Sequence, residues 1–294
     1  MKSTVRAIRR AAKQWLMGPS EFCVSTCIVS EEQKVMFAYV PKAGCTSIKT
    51  WLLRHGGFSH EFSKQSNDAE ACGSALPDAH AFMRSHFLLR RRSQAEIMRV
   101  LNDSSYFKFC CVRNPLPRLV SAYLSKVVTN NPTAYELIVS GQVTAGYLKP
   151  ATLMNWARGI PLDPDRGLTF REFVHSLKTQ NPMWLDSHFR AQGRLLKGLN
   201  FNVIVHLENI QEDFLAVRRH LGVDIPLPQR NATIYRETET TQCVADSPAA
   251  HFRNQKAPHW RCFFDAALQS ECEQFYADDF ERFGYQIARS TIAS

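Results

Sequence analysis

The sequence predicts an α/β fold in which one parallel β-sheet is flanked by helices within a single domain. Three apolar stretches are too short for typical helices and indicate buried strands at residues 35–40, 106–112 and 201–206. Helical patterns follow these stretches, and such alternation is typical of parallel sheets. A chain of 294 residues that is 45% apolar and 21% charged is long enough to bury one large core.

The elements between the strands have recognisable starts and stops. Pro41 ends the first strand, and a helix is expected over residues 47–53 before Gly56 closes it. Residues 58–80 are rich in Ser, Asn and Asp, and their length predicts a surface loop with a binding role. Further helix starts carry capping patterns, in which Glu follows a small polar residue by three positions: Ser93 with Glu96, Thr169 with Glu172, and Asn209 with Glu212.

The start of the chain differs from the rest, so we separate a basic amphipathic segment, residues 1–20, from a domain over residues 21–294. The segment places apolar residues at roughly helical spacing but lacks the continuous apolar stretch of a secretory signal. A docked helix is the simpler interpretation, and a peripheral contact with a membrane surface is the alternative. No run in the sequence approaches the roughly 20 apolar residues of a membrane-spanning helix.

Charge and cysteine content narrow the range of partners. The chain has 36 Lys and Arg against 27 Asp and Glu, a net charge of +9, which suits an anionic partner such as a nucleotide, a nucleic acid, an acidic glycan or a lipid surface. The nine cysteines form no CxxC pair and no metal-type spacing. We therefore expect packing cysteines in a reducing compartment and no bound metal.

The junction after the first strand has the character of a phosphate-binding site. A buried strand leads through a short loop into a helix, so that backbone N–H groups and the positive end of the helix dipole point at one place. Lys42 adds a cation, and Thr46 and Ser47 add hydroxyl donors. The arrangement of strand, loop and helix is therefore P-loop-like. The loop is nevertheless not a Walker A motif, because that motif places its Lys after the last Gly and here Lys42 precedes Gly44. The loop comprises Pro41, Lys42, Ala43, Gly44, Cys45, Thr46 and Ser47.

A second anion site is predicted after the strand of residues 106–112. Arg113 leaves the strand tip, and the following helix carries Arg118 and Ser121. The forked donors of an arginine and a serine hydroxyl suit one phosphate. Because α/β sheets bind ligands beyond the carboxyl ends of their strands, two such neighbouring sites fit a nucleotide with phosphates at both ends of its ribose.

These motifs resemble those of the carbohydrate sulfotransferases, which include enzymes that sulfate chondroitin and the HNK-1 epitope. PKAGCTS, residues 41–47, resembles the 5′-phosphosulfate motif of the family, and RNPLPRLVSAYLSK, residues 113–126, resembles its 3′-phosphate motif. Further segments extend the resemblance over roughly residues 35 to 285: FREFVHSL with DSHFRAQ, VIVHLENIQEDF and YADDFERFGY. HFRAQ departs from the HWxPQ pattern of the family at Phe189 and Ala191, which leaves the role of that segment open.

The resemblance implies an enzyme that moves a sulfuryl group from 3′-phosphoadenosine 5′-phosphosulfate (PAPS) to a hydroxyl of a carbohydrate or glycolipid. By this resemblance residues 42–47 hold the 5′-phosphosulfate, Lys42 also neutralises charge near the bridging oxygen, and Arg113 and Ser121 hold the 3′-phosphate. Cations placed where charge develops are what group transfer of this kind requires. Neither a metal nor a nucleic-acid partner is implied.

The acceptor hydroxyl must lose a proton, and histidine suits that task near neutral pH. Family members with a histidine base carry it upstream of the 3′-phosphate strand, which makes His86 the first candidate and His80 the second. His188 is a third histidine, and Glu61 or Glu208 is an alternative base. We expect a contact with the substrate or a structural role for three further residues, Arg118, His188 and Glu208.

Two other functions stay open at this point. A kinase or other nucleoside triphosphate enzyme would need magnesium, and the position of Lys42 disfavours it. A non-catalytic protein that binds anionic glycans would use the basic surface alone. Many members of the resembling family have a membrane anchor and disulfides, neither of which this sequence indicates, so we expect a cytoplasmic protein, with a location at the inner membrane as the alternative.

Overall fold

The computed structural model describes residues 24–72, 77–128, 166–180, 182, 185–228 and 242–287, so the N-terminal segment of residues 1–20 lies outside the described residues. The strands are β1 Cys27–Ser30, β2 Val35–Tyr39, β3 Phe107–Val112 and β4 Val203–His206. The helices are α1 Cys45–Arg54, α2 His60–Ala71, α3 Ala79–His86, α4 Gln94–Asn102, α5 Pro115–Tyr123, α6 Phe170–Lys178, α7 Gln192–Leu195, α8 Ile210–Asp213, α9 Leu215–Leu221, α10 Ala266–Phe275 and α11 Ala277–Arg282.

The four strands form one sheet in the order β1-β2-β3-β4. β2, β3 and β4 are parallel, with Tyr39 opposite Cys111 and Val112 opposite His206, whereas β1 runs antiparallel to β2. The three predicted strands are confirmed, and so is the α/β class with a mostly parallel sheet flanked by helices. The sequence did not predict β1, because its run is only four residues long and too short to stand out.

Contacts between residues divide the described chain into two compact units. The sheet unit consists of the described parts of residues 19–113 and 194–232 and contains all four strands. The helical unit consists of the described parts of residues 114–193 and 233–294. The predicted boundary between residues 20 and 21 stays a prediction.

Aromatic side chains tie the first helix of the sheet unit to its sheet. Trp51 of α1 meets Phe214 edge to face at 5.0 Å between ring centroids, and Phe214 contacts Phe109 of β3 at 6.1 Å. Phe109 in turn stacks on Phe37 of β2 at 4.7 Å. Because Trp51, Phe37 and Phe109 are fully buried, this packing fixes where α1 begins relative to the strand ends.

The helical unit has its own apolar core and a fully buried carboxylate, Asp279. Tyr123 of α5 packs against Phe170 of α6 at 5.2 Å, and its hydroxyl donates to the carbonyl of Leu168 at 2.8 Å. The Asp279 carboxylate accepts hydrogen bonds from the backbone N–H groups of Gln192 and Gly193, both at 2.7 Å, at the start of α7. Burial is the largest influence on this carboxyl group and raises its pKa.

Two local predictions are corrected and two are confirmed. The surface loop predicted over residues 58–80 is wrong in its first half, because α2 forms there with Ser59 as N-cap and Phe62 buried. The polar composition of this stretch reflects the exposed side of a helix. The side chain of Asn209 does not cap α8, contrary to the predicted pattern. The confirmed capping boxes are Ser93 with Glu96 and Thr169 with Glu172.

Candidate functional site

The loop between β2 and α1 has the backbone shape of an anion-binding turn. Lys42 and Gly44 both have φ of 69°, in the left-handed region, and the N–H of Ala43 donates to the carbonyl of Val40 at 3.3 Å. Gly44 is the N-cap residue of α1 and supplies no capping side chain. The positive end of the helix therefore opens onto the loop, as a bound anion requires.

Gly44 is required at this position for a second reason. A Cβ atom added to it would lie 2.9 Å from Cδ1 of Leu207 and 3.6 Å from Cδ1 of Ile210. These side chains follow β4, so the segment after the third parallel strand closes against the loop after the first. Close packing and a left-handed backbone together make any side chain here unfavourable.

Arg113 lies against the same loop. Its Nη1 atom donates to the carbonyl oxygen of Lys42 at 3.4 Å. This contact follows from the sheet, because β2 and β3 are parallel neighbours and residues 42 and 113 both lie just beyond paired ends. Ser121 is half-buried on α5 of the helical unit, and its pairing with Arg113 stays a prediction.

Of the two histidines favoured by the sequence, His80 is the one that contacts the loop. Its Nε2 atom lies 2.8 Å from Oγ1 of Thr46, and its Nδ1 atom lies 3.1 Å from Nζ of Lys49. The Asp78 side chain caps α3 by accepting from the N–H groups of His80 and Ala81 at 2.8 and 3.3 Å. The cap therefore fixes the first turn of α3, from which the ring of His80 extends.

His86 lies at the other end of α3 and is exposed. Its Nδ1 atom lies 3.0 Å from the carbonyl oxygen of Phe82, and its ring stacks on that of Phe82 at 4.4 Å. Glu61 is also exposed, in the first turn of α2, where it accepts from Gln65 at 3.1 Å. These recorded contacts lie within the helices that carry the two residues, so the roles of His86 and Glu61 as bases stay predictions.

Lys49 is a member of this cluster that the sequence analysis missed. Its side chain is 1% exposed, and Nζ lies 3.3 Å from the centre of the Tyr39 ring. Burial is the main cause that lowers the pKa of Lys49, to about 8. The available signal was a lysine within the apolar helix face that carries Ile48, Trp51 and Leu52, where an uncompensated charge is costly.

The end of β4 holds His206, a histidine that the sequence analysis did not select. Oδ2 of Asp213 accepts from the backbone N–H of His206 at 2.7 Å and lies 2.9 Å from its Nδ1. Asp213 therefore orients the ring of His206 where the third parallel strand ends. Glu208 lies in the following turn and is exposed, so its expected structural role stays a prediction.

The remaining predicted residues belong to the helical unit. Arg118 is 1% exposed, and its guanidinium donates to the carbonyl oxygens of Ser187 and Arg190, both at 3.0 Å. Nδ1 of His188 lies 2.5 Å from Oδ1 of Asp186. Arg118 thus holds the backbone of the segment that carries His188, which is a structural role.

Neither a metal cluster nor a membrane span is found in the part of the chain that the structure describes. Among those residues, no three His, Cys, Asp or Glu side chains are grouped as metal ligands would be. None of the helices among them is long and apolar enough to cross a bilayer.

The fold and the loop define an α/β protein whose candidate site lies beyond the carboxyl ends of parallel strands. A protein-family comparison identifies the group within that class, because the model described as "Sulfotransferase family" matches residues 25–286. The chain belongs to the sulfotransferase family and is a transferase.

The similar curated proteins carry a more specific name. Carbohydrate sulfotransferase 10 of Homo sapiens is 27% identical over 287 residues, which cover 91% of this chain and 68% of that protein. Carbohydrate sulfotransferase 11 of Danio rerio is 26% identical over 278 residues, which cover 94% of this chain and 70% of that protein. Carbohydrate sulfotransferase 9 of Homo sapiens is 27% identical over 193 residues, which cover 65% of this chain and 39% of that protein. No solved structure matches the chain significantly.

Proposed function

We propose that this protein transfers a sulfuryl group from PAPS to a hydroxyl group of a carbohydrate or glycolipid. The observation that carries the proposal is the contact of Arg113 with the backbone of Lys42, which joins the two sequence motifs at neighbouring strand ends. The similarity to carbohydrate sulfotransferases over 91% of the chain supports the carbohydrate acceptor. The basic net charge of +9 suits a donor with phosphates at both ends.

The residues of the loop suit the 5′ end of the donor. Backbone N–H groups at the start of α1 and the hydroxyl groups of Thr46 and Ser47 are donors for phosphosulfate oxygens. Lys42 supplies the positive charge for the bridging oxygen. Arg113 supplies forked donors for the 3′-phosphate, and Ser121 is the hydroxyl predicted to accompany it.

The reaction moves one group between two oxygens. The acceptor oxygen forms a new bond to sulfur, and the bond between sulfur and the bridging oxygen breaks, so that its electron pair stays on the 5′-phosphate. Positive charge beside that oxygen stabilises the charge that develops there. The proton of the acceptor hydroxyl passes to a base, for which the sequence favours His86 over His80.

The test is transfer of labelled sulfate from PAPS by the purified protein to a panel of glycan, glycolipid and phenolic acceptors, with the products identified by mass. We expect label on a carbohydrate-containing acceptor without added magnesium. Label only on phenols would overturn the proposed acceptor class. Transfer of phosphate from ATP in the presence of magnesium, with none of sulfate from PAPS, would favour a kinase and overturn the donor assignment.

A further inference from the structure

Lys49 is a buried cation that the proposed transfer chemistry does not use. It lies one turn into α1, and its Nζ atom is held between the face of the Tyr39 ring at 3.3 Å and Nδ1 of His80 at 3.1 Å. The opposite ring nitrogen of His80 lies 2.8 Å from Oγ1 of Thr46, a hydroxyl of the loop. Three polar groups thus form a continuous chain from a buried ammonium to the candidate donor site.

The charge on Lys49 decides the direction of the hydrogen bonds along this chain. An ammonium group has three N–H donors and no acceptor, so it donates to Nδ1 of His80. A neutral His80 then carries its proton on Nε2, and this N–H donates to Oγ1 of Thr46. The single hydrogen of the Thr46 hydroxyl is consequently directed to another acceptor. With Lys49 uncharged, the directions can reverse, and Thr46 then donates to His80.

We propose that Lys49 is a positioning residue that acts through His80 to turn the Thr46 hydroxyl hydrogen toward the 5′ end of the bound nucleotide. This inference rests on the proposed function, since it needs an anion in the loop. An anion is stabilised by a hydroxyl that donates and is repelled by one that presents its lone pairs. In this arrangement His80 is a link to the sulfate donor and not the acceptor of the hydroxyl proton. That role then falls to one of the other predicted bases, of which His86 is the first.

The lowered pKa of Lys49, about 8, makes the chain sensitive to pH. Below this pKa the ammonium is present and the chain points toward the nucleotide, so affinity is expected to fall as pH rises through about 8. The charged and titratable groups that face Lys49 are Tyr39 on β2, Cys45 on α1, and Asp78, His80 and Arg84 at α3. A phosphate group ionises fully well below this range, with its second pKa at about 6, so the nucleotide keeps its charge.

The experiment is a double-mutant cycle with 3′-phosphoadenosine 5′-phosphate (PAP) as the ligand, measured by calorimetry. Lys49→Met is expected to weaken PAP binding about tenfold, equivalent to about 1.4 kcal/mol. In a Thr46→Val background, which lacks the hydroxyl, Lys49→Met is expected to change affinity less than about twofold. A full tenfold loss in that background would overturn the inference, because Lys49 would then act by its charge alone.

Lys108→Met is the matched control for the loss of a buried lysine. Nζ of Lys108 donates to the carbonyl oxygens of Leu101 and Asp103 at 2.8 and 2.9 Å, and its side chain is 9% exposed. We expect it to lower thermal stability but to leave PAP affinity unchanged. If Lys49→Met does not fold, His80→Gln replaces it, since an amide can donate to Thr46 without Lys49. Near-normal PAP affinity in His80→Gln supports the relay, and a tenfold loss contradicts it.

The pH profile supplies a readout that a purely structural role would not change. Wild-type affinity for PAP should fall between pH 7 and 9, Cys45→Ala should keep this fall, and Lys49→Arg should abolish it because arginine stays charged. A pH-independent wild-type affinity would overturn the inference while leaving the proposed function intact. Failure of the wild-type protein to bind PAP at all would overturn both.

Discussion

Arg118 is a buried guanidinium whose hydrogen bonds go to the backbone. Its Nη1 and Nη2 atoms donate to the carbonyls of Arg190 and Ser187, so one side chain satisfies two partly buried acceptors of an irregular segment. The sequence predicted that Arg118 lies on the helix after Arg113, but a lone arginine in a basic protein gives no sign of which partners it will have. Its partners lie about 70 residues away in the chain, and only the tertiary fold brings them together.

We expect Arg118→Met to lower the free energy of unfolding by about 2 kcal/mol, because two partly buried carbonyls lose their donors. Chemical denaturation at neutral pH measures this loss. Arg219→Met, at an exposed position of α9, is the control and should change stability by less than about 0.5 kcal/mol. A stable Arg118→Met protein with impaired sulfate transfer would contradict the structural role and favour a substrate contact.

Lys42 is the residue whose loss should affect the reaction and not the fold. The sulfate-transfer rate of Lys42→Ala is expected to fall about 100-fold or more, because the charge developing on the bridging oxygen loses its cation. Unfolding temperatures of the variant and the wild type should agree. Lys64→Ala, at an exposed site on α2, is the control and should leave the rate unchanged. An unaltered rate in Lys42→Ala would remove this lysine from the mechanism.

At the scale of elements, the predictions that held depend on local chemistry. The capping boxes at Ser93 and Thr169 involve residues three positions apart, and the three parallel strands are mostly apolar. The missed elements depend on the tertiary fold. β1 has no distinguishing pattern of its own and is stabilised by pairing with β2. α2 was taken for a loop because only Phe62 and Ser66 of its twelve residues are buried.

The left-handed turn that begins α1 can be tested with a matched pair of glycines. Gly44→Ala carries the left-handed penalty of about 1 to 2 kcal/mol and also places a methyl group 2.9 Å from Leu207. Gly198→Ala carries the same backbone penalty, since φ is 77° there, but its methyl group meets nothing within 4 Å. Gly44→Ala should therefore be the less stable variant in chemical denaturation. Equal losses of stability in the two variants would mean that the Leu207 side chain moves aside without cost.

At the scale of the whole molecule, the sequence predicted which strand ends carry the site but not the network behind it. The order of the motifs and the rule for parallel sheets were enough to bring Lys42 and Arg113 together, as the contact at 3.4 Å shows. The contact of His80 with Thr46 and Lys49 was not predictable from the sequence. His80 is separated from Thr46 by 34 positions and from Lys49 by 31, and these residues meet only because α3 packs against α1. A choice between His80 and His86 from the sequence alone had no physical basis beyond their position.

The joint use of two strand ends predicts a preference among nucleotides. PAP should raise the unfolding temperature more than AMP does at equal concentration, because only PAP has a 3′-phosphate for Arg113 in addition to the 5′-phosphate for the loop. Differential scanning fluorimetry measures both shifts. In Arg113→Met the advantage of PAP should disappear while the AMP shift persists, since the loop still binds the 5′-phosphate. Equal shifts from PAP and AMP in the wild-type protein would mean that Arg113 does not bind the 3′-phosphate. Loss of both shifts in Arg113→Met would mean instead that the contact of Arg113 with Lys42 maintains the shape of the loop.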